Sequence, residues 1–146
     1  MLPRFHILFS TIVFIILLLF NINFLLIALF FISSIVIDVD HYFLYIARKK
    51  DLSLRKAYYY NRFELAKKLK KAKQKTVLCI FHTIESFIVL FLLALSFNLI
   101  FPIFFGALFH ETTDLIADLI RKNKTYNKYK RAHSLIFYVI KKYKNK

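Results

Sequence analysis

Residues 24–46 read FLLIALFFISSIVIDVDHYFLYI, and Arg48, Lys49 and Lys50 follow almost at once. An apolar run broken only by Ser33 and Ser34 ends on Asp38, Asp40 and His41. No period-2 alternation marks it as a strand, and it is longer than the roughly 20 residues that carry a helix across a bilayer core. The stretch therefore predicts a membrane-spanning helix with ionisable side chains near its basic end.

The rest of the chain repeats that arrangement. Of its 146 residues 59% are apolar, 18 are Phe and one is Gly, yet 23 Lys+Arg face 8 Asp+Glu for a net charge of +15. A soluble domain is about 45–50% apolar, and a disordered basic tail is poor in Phe, Ile and Leu. Both classes are excluded. So is a disulfide scaffold, because Cys79 is the only cysteine.

The bases are segregated. After Arg4 none occurs before Arg48, and residues 5–47 and 76–120 contain no Lys or Arg. The other 22 lie in residues 48–75 and 121–146. Each charge-free stretch is about 44 residues long, enough for a helical hairpin that crosses and returns. Turn signals sit mid-stretch: Asn21-Ile22-Asn23 in the first, Ser96-Phe97-Asn98 and then Pro102 in the second. Proline suits the start of a helix, where its missing N–H has no partner to lose.

The expected fold is all-α: one polytopic membrane domain over residues 1–146, with four transmembrane helices at about 4–20, 24–46, 77–97 and 101–120. Short Lys/Arg-rich loops stay in the cytoplasm. That rule places the basic loop 48–75, the basic tail 121–146 and both termini on the cytoplasmic side of the cell membrane. No small-residue cleavage site follows the first apolar run, so a removed signal peptide is not expected. Leu54, Tyr58, Phe63, Leu65 and Leu69 interleave with the bases of the loop, a pattern that suits a helix on an anionic lipid surface. Membrane lipid is the expected partner. Nucleic acid is not, since no recognition motif accompanies the charge. The sequence leaves oligomeric state open.

The acids lie where a membrane helix least tolerates them. Asp38, Asp40, Glu85, Glu111, Asp114 and Asp118 fall inside the charge-free stretches, together with His41, His82 and His110. Each costs roughly 2.5–3.5 kcal/mol near a helix centre on the lenient insertion scale. At 1.5 Å per residue, Asp38, His41, His82, Glu85, His110 and Asp114 sit roughly 10–17 Å inside the basic boundary. Asp38/His41 and His82/Glu85 are spaced i,i+3, and His110/Asp114 i,i+4, so each pair is expected on one helix face. Helix bundles build metal sites from such inward pairs, and imidazole with carboxylate suits Zn, Mn or Fe(II). A divalent ion would supply the missing positive charge; a metal-free polar network or ion path is the other reading. Asp40 is out of phase with Asp38 on an ideal helix and points inward only if the helix distorts or ends near Val39. His110-Glu111-Thr112-Thr113-Asp114 is too short a pattern to define a zinc protease. His6 reads as an interfacial residue and Cys79 as a small buried apolar one.

Three elements, Asp38-Val39-Asp40-His41, His82-Thr83-Ile84-Glu85-Ser86 and His110-Glu111-Thr112-Thr113-Asp114, resemble in order and membrane context those of the membrane-bound metal-dependent hydrolase family, the YdjM-like inner-membrane proteins. The likeness covers residues 35–118. Ile37 stands where that family usually has Pro, and the middle element has one His and Glu85 where the family tends to carry Arg and two His. The resemblance implies metal-dependent hydrolysis, with a phosphoester as substrate.

The functional expectation is therefore an integral membrane hydrolase acting on a phosphoester or lipid head group. Asp38, Asp40, His41, His82, His110 and Asp114 are the expected ligands of a divalent metal, zinc first and Mn or Fe next. Glu85 or Glu111 is the expected general base. Asp118 and His133 are candidates for additional ligands, and Arg48, Lys49, Arg121 and Lys122 for phosphate or head-group binding. Two other classes remain open: a small cation or proton transporter subunit, and a non-catalytic anchor whose basic loop recruits a partner.

Overall fold

The computed structural model describes residues 3–65, 76–121, 130–131 and 133–144, with the side chains of Pro3, Thr76, Asp118, Arg121, Lys130 and Arg131 excepted. The described residues are overwhelmingly helical, as the apolar runs require. Among the described residues seven α-helices follow in order: α1 Pro3–Leu19, α2 Phe24–Val36, α3 Val39–Lys49, α4 Leu54–Tyr59, α5 Ile84–Ser96, α6 Ile100–Arg121 and α7 Leu135–Lys144. A π-helical turn, Tyr60–Glu64, extends α4, and a 3₁₀ turn, Ile80–His82, precedes α5. A two-residue parallel pairing joins β1 Thr76–Val77 to β2 Lys130–Arg131. The chain divides into two units: unit 1 holds residues 1–37 and 87–124, unit 2 residues 38–86 and 125–146.

In unit 1, α2 packs against α1 and α6. Asn21 and Asn23 build the turn between α1 and α2 as their sequence suggests. Asn21 takes a left-handed φ of 54°, which Asn tolerates better than most residues. The side chain of Asn23 accepts the Leu25 N–H at 2.9 Å and so caps α2. Pro102 falls in the first turn of α6. The single glycine, Gly106, lets α2 and α6 approach closely. A Cβ there would run into Ser33 Oγ and the Phe30 carbonyl oxygen.

Unit 1 buries His6, Ser10, Ser34, His110 and Asp114 alongside Ile27, Phe30, Ala94 and Ala107, whereas Ile7, Leu8, Phe9, Ile12, Ile15 and Ile16 of α1 are exposed. Among the described residues, two segments are long and apolar enough to cross a membrane: Phe24–Lys49, counted through the turn between α2 and α3, and Ile100–Ala117.

Unit 2 has its own core of Tyr45, Ala57, Tyr60, Leu65, Val77 and Cys79. Tyr45 and Tyr60 pack with ring centroids 5.5 Å apart. The Asp51 carboxylate accepts the Ser53 N–H at 2.8 Å and the Lys56 ammonium at 2.9 Å. Ser53 Oγ in turn accepts the Lys56 N–H at 3.4 Å, capping α4.

Two of the expected helices are revised. The helix over 24–46 breaks at residues 37–38 into α2 and α3. Ser33 and Ser34 return their hydroxyls to the carbonyls of Phe30 and Phe31, at 2.9 and 2.7 Å, a competition with the backbone ladder that bends helices. The helix over 77–97 begins only at Ile84. Val77 and Cys79 are drawn into the core of unit 2. Thr83 is extended, and its Oγ1 accepts the Ser86 N–H at 3.4 Å to start α5. Of the basic loop, residues 66–75 lie outside the described residues, as do 122–129, 132, 145 and 146 of the tail.

Candidate functional site

The break between α2 and α3 determines where Asp40 points. Because a new helix begins at Val39, Asp40 enters the first turn of α3 and is only 8% exposed. This is the distortion under which Asp40 could point inward. Its Oδ2 accepts the Phe81 N–H at 3.2 Å and lies 3.1 Å from His82 Nδ1. One carboxylate oxygen therefore clamps the 3₁₀ turn and orients the ring that the turn carries. A carboxylate accepts only, so Nδ1 of His82 bears a proton in this pair. Oδ1 of Asp40 is buried and has no hydrogen-bond partner among the described residues.

His41 and Asp38 complete the group in unit 2. Asp38 Oδ1 lies 3.6 Å from His41 Nε2 and 3.8 Å from His82 Nε2. The two rings are 5.3 Å apart between centroids. On its other side, His41 Nδ1 is 3.5 Å from Cys79 Sγ. Asp40, His41 and Cys79 each offer a donor atom, and the three atoms lie within 4.8 Å of one another. Oxygen, nitrogen and sulfur donors at this separation form a set that fits a divalent ion.

A second group forms in unit 1. His110 is fully buried, and its Nδ1 donates to the Ser34 carbonyl at 2.7 Å. Ser34 lies in the last turn of α2, where helix carbonyls need outside donors. The hydroxyls of Ser34 and Ser10 are hydrogen-bonded at 2.8 Å. His6 stacks on His110 with centroids 3.9 Å apart and planes 13° from parallel. Its Nε2 lies 3.2 Å from Asp114 Oδ1 and its Nδ1 3.1 Å from Thr113 Oγ1. The Thr113 hydroxyl already donates to the His110 carbonyl at 2.8 Å, so His6 Nδ1 is the donor to Thr113. Donor atoms of His6, His110 and Asp114 also lie within 4.8 Å of one another.

Of the residues marked out by sequence, Asp38, Asp40, His41 and His82 thus gather in unit 2, and His110 and Asp114 in unit 1. His6 and Cys79 were missed as members. His6 has no acid or His at i,i+3 or i,i+4 to mark it, whereas Cys79 stands i,i+3 to His82 and was set aside as a small buried apolar residue. His82 and Glu85 do not share a helix face, because extended Thr83 separates the 3₁₀ turn from α5. The Glu85 carboxylate instead accepts the Ser134 hydroxyl at 2.5 Å and the N–H groups of Leu135 and Ile136 at 3.0 and 3.2 Å. Those are the first donors of α7, so Glu85 caps that helix. Glu111 is half-buried on α6 beside His110. His133 has an exposed side chain, and its carbonyl accepts the Ile84 N–H at 2.9 Å. Arg48 is exposed, whereas Lys49 stands 3.8 Å from Glu64 and 5.4 Å from the centre of the Tyr60 ring. Lys122 and the side chains of Asp118 and Arg121 lie outside the described residues.

Comparison with known proteins gives no match: no protein-family model, no curated protein and no solved structure matches this chain. The function must be argued from the two polar groups themselves.

Proposed function

We propose that the protein is a four-span protein of the cytoplasmic membrane, with both termini and the basic loop inside, that hydrolyses a phosphoester or lipid head group with the help of a divalent metal. The observation that carries this reading is the group in unit 2. It brings together Asp38, Asp40, His41 and His82, and Asp40 adds a second carboxylate oxygen, Oδ1, that is buried without a hydrogen-bond donor among the described residues. The resemblance of its sequence elements to those of membrane-bound metal-dependent hydrolases supports the same chemistry. The outward Ile, Leu and Phe of unit 1, over buried His, Ser and Asp, support the membrane setting.

Asp40 and His41 would hold the ion, and Asp38 and His82 flank them. A bound divalent ion supplies Lewis acidity toward a phosphoryl oxygen. Asp40 Oδ2 keeps the proton of His82 on Nδ1 and fixes the ring. Asp38, whose side chain is 22% exposed against 8% for Asp40, is the carboxylate open to an incoming water. Its carboxylate takes the proton of that water, with the Nε2 atoms of His41 and His82 beside its Oδ1. This assigns the general-base part to Asp38, because Glu85 is committed to α7. Arg48, exposed at the end of α3, faces the anionic head-group layer.

The test uses the full chain in phospholipid nanodiscs, loaded with Zn²⁺, with an aryl phosphate and anionic phospholipids as substrates. The expected result is chelator-sensitive phosphate or head-group release that falls at least about 100-fold in Asp38→Asn. No release, or equal release from the variant, would remove the hydrolase reading. The contact between His6 and Asp114 favours one second reading, proton or cation handling through unit 1. Ion flux in liposomes that disappears in Asp114→Asn, without any hydrolysis, would select it.

A further inference from the structure

Cys79 sits in the group of unit 2, and its sulfur changes the class of ion that group suits. The residue is 1% exposed and extended, immediately before the 3₁₀ turn Ile80–His82. That turn is held against Asp40 by the Phe81 N–H at 3.2 Å and by His82 Nδ1 at 3.1 Å. The clamp brings Cys79 Sγ to 3.5 Å from His41 Nδ1. The group also contains Asp40 Oδ1, a buried carboxylate oxygen with no hydrogen-bond donor among the described residues. A buried acceptor in that condition is costly unless a cation lies against it.

We propose that Asp40, His41 and Cys79 form a thiolate-containing metal site, with Asp40 Oδ1, His41 Nδ1 and Cys79 Sγ as its donors. Asp38, 3.6 Å from His41 Nε2, is then the outer carboxylate that keeps the ring proton on Nε2 and turns Nδ1 to the ion, as carboxylates behind metal-bound histidines do. The inference rests on reading unit 2 as a metal site and deepens that reading. Imidazole and carboxylate alone suit zinc, manganese and iron alike, whereas a thiolate selects zinc and its soft analogues over manganese or magnesium.

Cobalt(II) is the probe, because it replaces zinc and reports its ligands by colour. The full chain is purified in detergent and titrated with Co²⁺. The sole cysteine makes the spectrum unambiguous: any thiolate-to-cobalt charge transfer must come from Cys79. The expected result is an intense near-ultraviolet absorption that saturates at one ion per chain. It is abolished by Zn²⁺ but not by excess Mn²⁺, and it is absent from Cys79→Ser. Cobalt taken up with visible ligand-field bands but no charge transfer in the parent would overturn the inference and leave a nitrogen–oxygen metal site standing. No uptake by the parent would overturn both. The parent spectrum decides the matter even if Cys79→Ser fails to fold.

Discussion

Glu85 and Ser134 are joined side chain to side chain at 2.5 Å, and the same Glu85 carboxylate accepts the next two backbone N–H groups of the chain. A carboxylate met in the sequence as a catalytic candidate is thereby the N-terminal cap of α7. Loss of a cap costs about 0.5–2 kcal/mol. Glu85→Ala is expected to speed amide exchange at Leu135 and Ile136 while leaving the metal content of the protein intact, and Glu85→Gln, which keeps one acceptor, to have the smaller effect. Hydrogen exchange resolved along α7 measures this. Unchanged protection in the alanine variant would contradict the assignment.

The approach of α2 and α6 makes a second prediction. Because a Cβ at residue 106 meets the Phe30 carbonyl oxygen as well as Ser33 Oγ, Gly106→Ala should destabilise the protein by about 1–3 kcal/mol, the usual cost of overpacking. Ser33→Ala in the same chain should recover only part of that, since the backbone oxygen cannot be trimmed away. Thermal or denaturant unfolding in detergent reads both. Full recovery would show that the serine alone limits the approach.

His6 and Asp114 should act as a pair. They are 2% and 3% exposed and 3.2 Å apart. Residues in one buried polar network couple by about 0.5–3 kcal/mol. A double-mutant cycle with His6→Phe, which keeps a ring over His110, and Asp114→Asn should give coupling near 1 kcal/mol or more. Additivity within about 0.3–0.5 kcal/mol would mean that the two do not interact.

The turn from α3 into α4 carries a pH signature. The Asp51 carboxyl is held below its ordinary value, first by the hydrogen bond from Lys56 and next by the Ser53 N–H, and Lys56 is raised by the same pair. Since the carboxyl is depressed in the folded chain, its contribution is present above its usual value of about 4 and is lost as pH falls through the lower folded value. The lysine's contribution is lost only as pH rises through its raised value. The Ser53 amide shift should therefore titrate below about pH 4, and Lys56→Met should move its midpoint upward. An unmoved midpoint would assign the shift to something other than Lys56.

Much of this arrangement was legible in the sequence, for reasons that differ by residue. Asn21, Asn23 and Pro102 marked the turns because their side chains act on their own backbones, which is local information. The i,i+4 spacing of His110 and Asp114 put them on one face because α6 is unbroken there. The pairing of His82 with Glu85 was misread. The i,i+3 rule holds only inside a helix, and Thr83 ends the turn before α5 begins. The out-of-phase position of Asp40 left its place open, since Asp40 could point inward only if the helix distorted or ended near Val39, and the break that Ser33 and Ser34 favour met that condition. His6 was illegible because its partners His110 and Asp114 lie far along the chain, whereas Cys79, three residues before His82, carried a spacing that its apolar neighbours masked. The two units were not foreseen either. Uniform apolar runs do not show that residues 76–83 join the residues around Tyr45 and Tyr60 instead of the helix that follows.

The central claim is that unit 2 binds a metal. The most direct measurement is the metal content of the full chain, purified in mild detergent without a histidine tag, beside an Asp40→Asn/His41→Ala variant. The account predicts at least one zinc per chain in the parent and a loss of one in the variant, with helical content retained. A parent that stays metal-free after reloading with Zn²⁺, or a variant that keeps the same zinc, would contradict it.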